Sequence, residues 1–265
     1  MQLSLLELVE AGVIGLGAGV LGGLAGVGGS MIMLPALHWV FGEKSPNTHH
    51  LYMAAAMTVN VFVAFPAAIR HHRNGAVRKD LLGSLIPMTM LSMVLGVLAG
   101  NMIDGQVLKV GLALFLLVYC AFNVWRLMSK SGIDVHGQRT TRTRLLVSAA
   151  MTGFIGGLLG LGGGVMMVPA LQMLCRVPLK QAIATSSAVI CITSIVGAGV
   201  KLASLPGLDQ SVQDALLLAA VMAPTAMVGG VIGAQLTHVL PTRTVRLLVT
   251  LLLLVAAARL GGVFG

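Results

Sequence analysis

The residues best suited to bind a ligand in this chain are glycines, set in two runs that repeat along an apolar sequence. Residues 19–37 read GVLGGLAGVGGSMIMLPAL and residues 153–171 read GFIGGLLGLGGGVMMVPAL. An offset of 134 pairs Gly19 with Gly153, Gly22 with Gly156, Gly23 with Gly157, Gly28 with Gly162, Gly29 with Gly163 and Pro35 with Pro169. Glycines clustered inside a membrane-length apolar stretch break a helix. The half-helix that restarts there aims unpaired N–H groups and the positive end of its dipole inward. Gly28, Gly29 and Ser30 are expected to begin one half-helix, and Gly162, Gly163 and Gly164 the other. Two such ends meeting near the midplane form an anion site, because the missing Cβ lets a ligand approach the backbone. The other use of these glycines, above all 19 to 26, is close helix packing through small residues. Pro35 and Pro169 are expected to free the carbonyls of Met31 and Val165 and to shape the break.

Hydroxyl and amide groups in neighbouring apolar segments could complete an oxyanion's hydrogen bonds without fixed charge. Thr58 and Asn60 stand in one such segment, and Thr185, Ser186, Ser187, Thr193 and Ser194 in another. The same hydroxyls can instead bond back to helix carbonyls. Carboxylates are missing from mid-span, which counts against a carboxylate proton relay. Glu7, Glu10, His38, His49, His50 and His238 lie toward span ends and read as interfacial. Lys201 and Arg70 end corresponding helices, where they could draw anions to the mouths or simply mark topology. Cys120, Cys175 and Cys191 have no metal-ligand spacing and read as buried, unpaired thiols. The GLGGG run lacks a preceding strand and a following Lys-Ser/Thr, so no nucleotide loop is expected. Neither enzyme chemistry, a metal site nor a cofactor is expected.

Positioning these residues falls to membrane helices. Of 265 residues, 57% are apolar and 9% charged, with a mean hydropathy of +0.95. A soluble domain carries about a quarter charged residues, so the composition is that of a polytopic integral membrane protein. Uncharged runs at 11–42, 45–69, 81–103, 145–175, 181–200 and 215–242 each reach the ~20 residues a spanning helix needs. Shorter runs at 110–125 and 247–258 are flanked by Lys109, Arg126, Arg246 and Arg259, which can snorkel. Nothing alternates as barrel strands do, so the fold class is all-α. The net charge of +9 sits in short loops, where the positive-inside effect accounts for it without nucleic acid.

The repeat divides the chain into a first transmembrane half at 1–128, a basic linker at 129–144 and a second half at 145–265. Pro87 and Gly96 match Pro224 and Gly233 at an offset of 137, and the intervening helix aligns at 128, pairing Thr58 with Ser186. The run 11–42 would make a straight helix of about 48 Å, against a hydrocarbon core of about 30 Å. A broken or re-entrant segment fits that length, with three further transmembrane helices in each half. Re-entry gives the halves opposite orientation, an inverted repeat. It puts thirteen Lys and Arg in the cytoplasm and four outside, where parallel halves give eleven and six. Both arrangements place 70–79 and 129–144 in the cytoplasm.

The run GGLLGLGGGVMMVPAL, its first-half echo, the ATSSAVICITSIVGAGVK helix and the FPAAIRHHRNGAV stretch together resemble the sulfite exporter TauE/SafE family of bacterial inner-membrane transporters. The resemblance implies secondary transport of a small sulfur oxyanion or organosulfonate, driven by an ion gradient, with H+ or Na+ as the coupling ion. Residues 162–164 and Pro169 carry the family pattern directly, whereas Ser30 replaces the third glycine in the first half. An anion channel using the same site and a membrane sensor or scaffold are the competing readings.

Overall fold

The computed structural model describes residues 4–42, 45, 47–128, 139–241, 244, 247, 248, 250, 251 and 254. No strand occurs among them. The helices are α1 (Leu5–Ala25), α2 (Ser30–Phe41), α3 (Thr48–Arg73), α4 (Lys79–Asn101), α5 (Gly105–Met128), α6 (Arg142–Leu158), α7 (Met167–Met173), α8 (Leu179–Ser204) and α9 (Val212–Val239). Residues from Thr244 onward that the structure describes are helical as well. Among the described residues six helices are long and apolar enough to cross a membrane: α1, α3, α4, α5 as Gly105–Trp125, α8 extended to Leu179–Leu208, and α9. Most of the linker, 129–138, and the tail beyond Leu254 lie outside the described residues.

Local sequence explains where the elements start and stop. Ser4 caps α1 through a reciprocal pair with Glu7, whose backbone N–H donates to Ser4 Oγ while its carboxylate accepts the Ser4 N–H at 2.8 Å. The helix ends at Gly26, which takes a left-handed conformation (φ 64°) and donates to the Gly22 carbonyl. Pro35 stands inside α2, whereas Pro169 is the third residue of α7. A first-turn proline lacks an N–H that would have had no intrahelical partner anyway. Pro169 therefore does not break a helix as expected from its sequence position.

The halves interlock. Helix α1 packs along α9 and α6 along α4; α3 packs against α8 and α9, and α8 against α4. Glycine makes these crossings possible. A Cβ on Gly19 would sit 2.2 Å from the Ala226 carbonyl oxygen, and one on Gly153 2.4 Å from that of Thr89. Gly23 and Gly157 meet the Gly230 and Met93 carbonyls in the same way, and Gly233 and Gly96 meet those of Val20 and Phe154. Each pair of glycines differs by 134 or 137, and so does each pair of partners. Small-residue packing thus accounts for Gly19 and Gly23. Large apolar side chains such as Leu91, Leu95, Leu114, Val118 and Val228 point outward, while Asn60, Ser186, Thr193, Ser194 and Lys201 are fully buried. That inversion of the usual water-soluble pattern fits a bilayer surround.

Candidate functional site

Both glycine runs interrupt helices, but their ends are occupied differently. Between α1 and α2, Gly28 has a φ of 78° and α2 begins at Ser30. Asn60 reaches in from α3. Its Oδ1 accepts the N–H groups of Gly29 at 2.7 Å and Ser30 at 3.0 Å, and its Nδ2 donates to Ser30 Oγ at 2.9 Å. A side-chain amide from another helix thus caps α2 and does what a local N-cap residue usually does. The N–H groups of Gly29 and Ser30, expected to face a ligand, are already satisfied.

The second break is open. Helix α7 starts at Met167, one turn later than expected, and residues 162–164 form an irregular segment in which Gly162 (φ 68°) and Gly163 (φ 80°) are left-handed. The N–H groups of Gly162, Gly163, Gly164, Val165 and Met166 donate to no acceptor among the described residues. Side chains from three other helices converge here. A Cβ on Gly162 would lie 2.5 Å from Asn60 Nδ2 and 3.0 Å from Ser194 Oγ. One on Gly163 would lie 3.6 Å from Thr89 Cγ2 and 3.8 Å from Thr193 Oγ1. The hydroxyls of Thr89, Thr193 and Ser194 are buried and have no hydrogen-bond partner. A buried polar atom left unpaired is costly, so several gathered round an unpaired backbone mark a place where a ligand or water completes the bonding. Every group in the cluster can donate, and none carries a charge.

The remaining expected residues make hydrogen bonds within the protein. Thr58 donates back to Ala54 at 2.8 Å and Ser187 to Ile183 at 3.0 Å. Thr185 Oγ1 accepts the Arg78 N–H at the start of α4. Ser186 donates to the Gly26 carbonyl at 2.6 Å and reaches that of Gly164 at 3.3 Å, tying the two breaks together. The contacts also set the register of α3 against α8. Gly26 meets Ile183 where Gly160 meets Met53, and Gly164 meets Ile190 where Ser30 meets Asn60. Those pairs lie 130 apart rather than 128, so Ser186 answers to Ala56 and the amide of Asn60 has no counterpart in α8.

Thr193 and Ser194 were visible in the sequence as polar residues in an apolar helix. Thr89 was not singled out, although a threonine two residues after Pro87 in an otherwise apolar span gave the same kind of signal. His49 and His50, read as interfacial, are buried in the protein, and so is Lys201 at the end of α8. Cys120 and Cys175 are buried, Cys191 partly so, and none forms a disulfide. Among the described residues no three His, Cys, Asp or Glu side chains come together as metal ligands. A lateral groove of about 420 Å³ between α3, α4 and α8, walled by Phe65, Ile69 and Ile192 with Arg73 and Lys79 at its edge, lies apart from the Gly162 cluster.

Six helices of membrane-spanning length and apolarity among the described residues make this a multi-pass membrane protein by class. The chain belongs to the sulfite exporter TauE/SafE family, whose model matches residues 11–260. It is 29% identical to the probable membrane transporter protein MamO of Magnetospirillum gryphiswaldense, over 92% of this chain and 43% of the relative. The chain thus spans less than half the length of that relative. It is 30% identical to probable membrane transporter protein MJ0441 of Methanocaldococcus jannaschii, over 70% of this chain and 68% of the relative. Probable membrane transporter protein YunE of Bacillus subtilis is 25% identical, with 94% of this chain and 95% of the relative aligned. No solved structure matches the chain.

Proposed function

We propose that this protein is a secondary transporter that carries a small sulfur-containing anion, such as sulfite or an organosulfonate, across a bacterial inner membrane. The convergence of unpaired donors at Gly162 and Gly163, contributed by the backbone and by Thr89, Thr193 and Ser194, carries the reading. Oxyanions are tetrahedral or pyramidal acceptors, and neutral donors in a low-dielectric site bind them without the permanent charge that would hinder release. The family name supplies the sulfur. Asn60 belongs to the site as a bridge: its Nδ2 faces Gly162 while its Oδ1 holds Gly29 and Ser30.

Alternating access is proposed to run between two halves of opposite orientation. Two observations support this: the recurrence of the α1–α9 contacts as α6–α4 contacts at fixed offsets, which relates the halves, and the thirteen-to-four split of Lys and Arg that opposite orientation gives, against eleven to six for parallel halves. Ser186, which bonds to both breaks, would then sit at the seam about which the halves move.

Flux in liposomes tests the reading. The purified protein should carry labelled sulfite or methanesulfonate, and an imposed ion gradient should drive net accumulation. Flux that never exceeds equilibration under any gradient indicates an anion channel. Absence of both flux and binding overturns the proposal.

A further inference from the structure

Lys201, in the last turn of α8, is fully buried. Its Nζ lies 2.6 Å from His50 Nδ1 and 2.5 Å from Asn101 Oδ1, and His50 Nε2 lies 3.1 Å from the Ile103 carbonyl. A carbonyl only accepts, so Nε2 bears its hydrogen and Nδ1 of the neutral ring accepts from Lys201. A doubly protonated ring would set two donors against each other. A neutral Lys201 amine can donate to both Nδ1 and Asn101, and so can the ammonium ion. The trio therefore gains or loses one proton without breaking a contact.

The groups around it are mostly basic. From α2 and α3 come His38 and His49, whose rings meet at 2.7 Å between Nε2 and Nδ1, with Tyr52 packed edge-on against His38. Lys109 of α5 adds positive charge. Asp104 acts on His50 from the turn before α5, where it also caps that helix by accepting the Gln106 N–H. No carboxylate bonds to Lys201 among the described residues, so a second positive charge here is unfavourable until an anion offsets it.

An anion would arrive close by. Ser194, Gly197 and Lys201 are spaced three and four apart, and so are Asn60, Met57, Met53 and His50; each set shares one face of its helix. Two turns of α8, about 10 Å, separate Ser194 from Lys201. The missing side chain of Gly197 leaves room for Met57 and Met93 between them. All of these residues but Gly197 are fully buried, and Gly197 is itself buried.

We propose that Lys201, His50 and Asn101 form a proton-binding site coupled to anion binding at the Gly162 cluster, so that one proton is taken up with each anion and released with it. Linkage makes the effect reciprocal: the anion raises the proton affinity, and the proton raises the anion affinity. The inference rests on the anion-transport reading above.

The test uses the full chain with thiosulfate and methanesulfonate, both ionised at every pH used. In weakly buffered detergent solution, binding of either anion to the wild type should take up about one proton per protein. Lys201→Met and His50→Gln should abolish that uptake. In detergent both variants should keep the wild-type far-UV circular dichroism and elution volume, which shows that they fold, and in liposomes their anion counterflow should fall with the anion affinity that the proton no longer raises. Their accumulation driven by a pH gradient should fall at least ten-fold. Binding to the wild type without proton uptake overturns the coupling alone, even if neither variant folds. Undiminished pH-driven accumulation in Lys201→Met also overturns it. Neither binding nor flux with either anion overturns the underlying transport reading instead.

Discussion

The Ser186 hydroxyl donates to the carbonyl of Gly26 at 2.6 Å, across 160 residues of sequence, and the same oxygen lies 3.3 Å from the carbonyl of Gly164. One side chain on α8 thereby joins the two helix breaks. A hydroxyl already committed to two carbonyls has no hydrogen left for an anion. Its contribution is to hold the left-handed turns of both runs at a fixed separation.

Ser186→Ala should therefore act on stability before affinity. It leaves the Gly26 carbonyl buried without its donor, a loss of about 1–3 kcal/mol. Thermal melting of the protein in detergent should shift down by several degrees, while the anion dissociation constant measured below the transition changes by less than about three-fold. A large loss of affinity with an unchanged melting point would return Ser186 to the anion site.

Gly162→Ala should remove binding. Its φ of 68° disfavours any side chain, and the new methyl would press on Asn60 Nδ2 and Ser194 Oγ. The backbone strain alone costs about 1–2 kcal/mol, and the methyl fills the space the anion needs, so affinity should drop at least ten-fold. Gly83→Ala is the control. Nothing lies within 4 Å of its Cβ position in α4. Replacing it should stabilise the helix by about 0.5–1 kcal/mol and leave binding alone. Isothermal titration and melting curves on both variants check the pair.

Gly96→Ala and Gly233→Ala should destabilise to a similar degree. Their methyls would meet the backbone carbonyls of Phe154 and Val20, which cannot rotate away as a side chain can. Overpacking of this kind costs about 1–3 kcal/mol. Equal losses in melting temperature are expected because α4–α6 and α9–α1 make the same crossing. Tolerance at one position and not the other would show that the two crossings are not equivalent.

The glycine runs, the helix breaks and the outward-facing apolar spans were legible because each is a local property of composition and length. What α3 does to α2 was not. Asn60 lies 31 residues beyond Gly29, and no periodicity says that its amide will satisfy the first break and leave the second open. The run at 185–187 resists reading for a related reason: a serine or threonine in an apolar helix looks the same whether it bonds to its own carbonyl, as Ser187 does, or stays free, as Ser194 does. The register of α3 on α8 is likewise fixed by packing at Gly26, Gly160 and Gly164 rather than by identical residues. Lys201 reads as a helix-end charge in sequence, and only the fold shows His50 and Asn101 waiting for it.

Thr193 and Ser194 allow binding to be separated from folding. Their hydroxyls are buried and unpaired, so in the empty protein they cost stability rather than supply it. Ser194→Ala and Thr193→Val remove that cost, and the melting temperature of the anion-free protein should hold or rise by a few degrees. The anion then loses one hydrogen bond per substitution, worth about 1–1.5 kcal/mol, or roughly ten-fold in affinity at the upper end. The wild type should also gain more stability from saturating anion than either variant, since ligand stabilisation follows affinity. Stability and affinity thus move in opposite directions, which is the reverse of what a structural hydroxyl such as that of Ser186 produces. If both variants melt lower and bind the anion as tightly as the wild type, these hydroxyls are structural and the donor cluster at Gly162 and Gly163 is not where the anion sits.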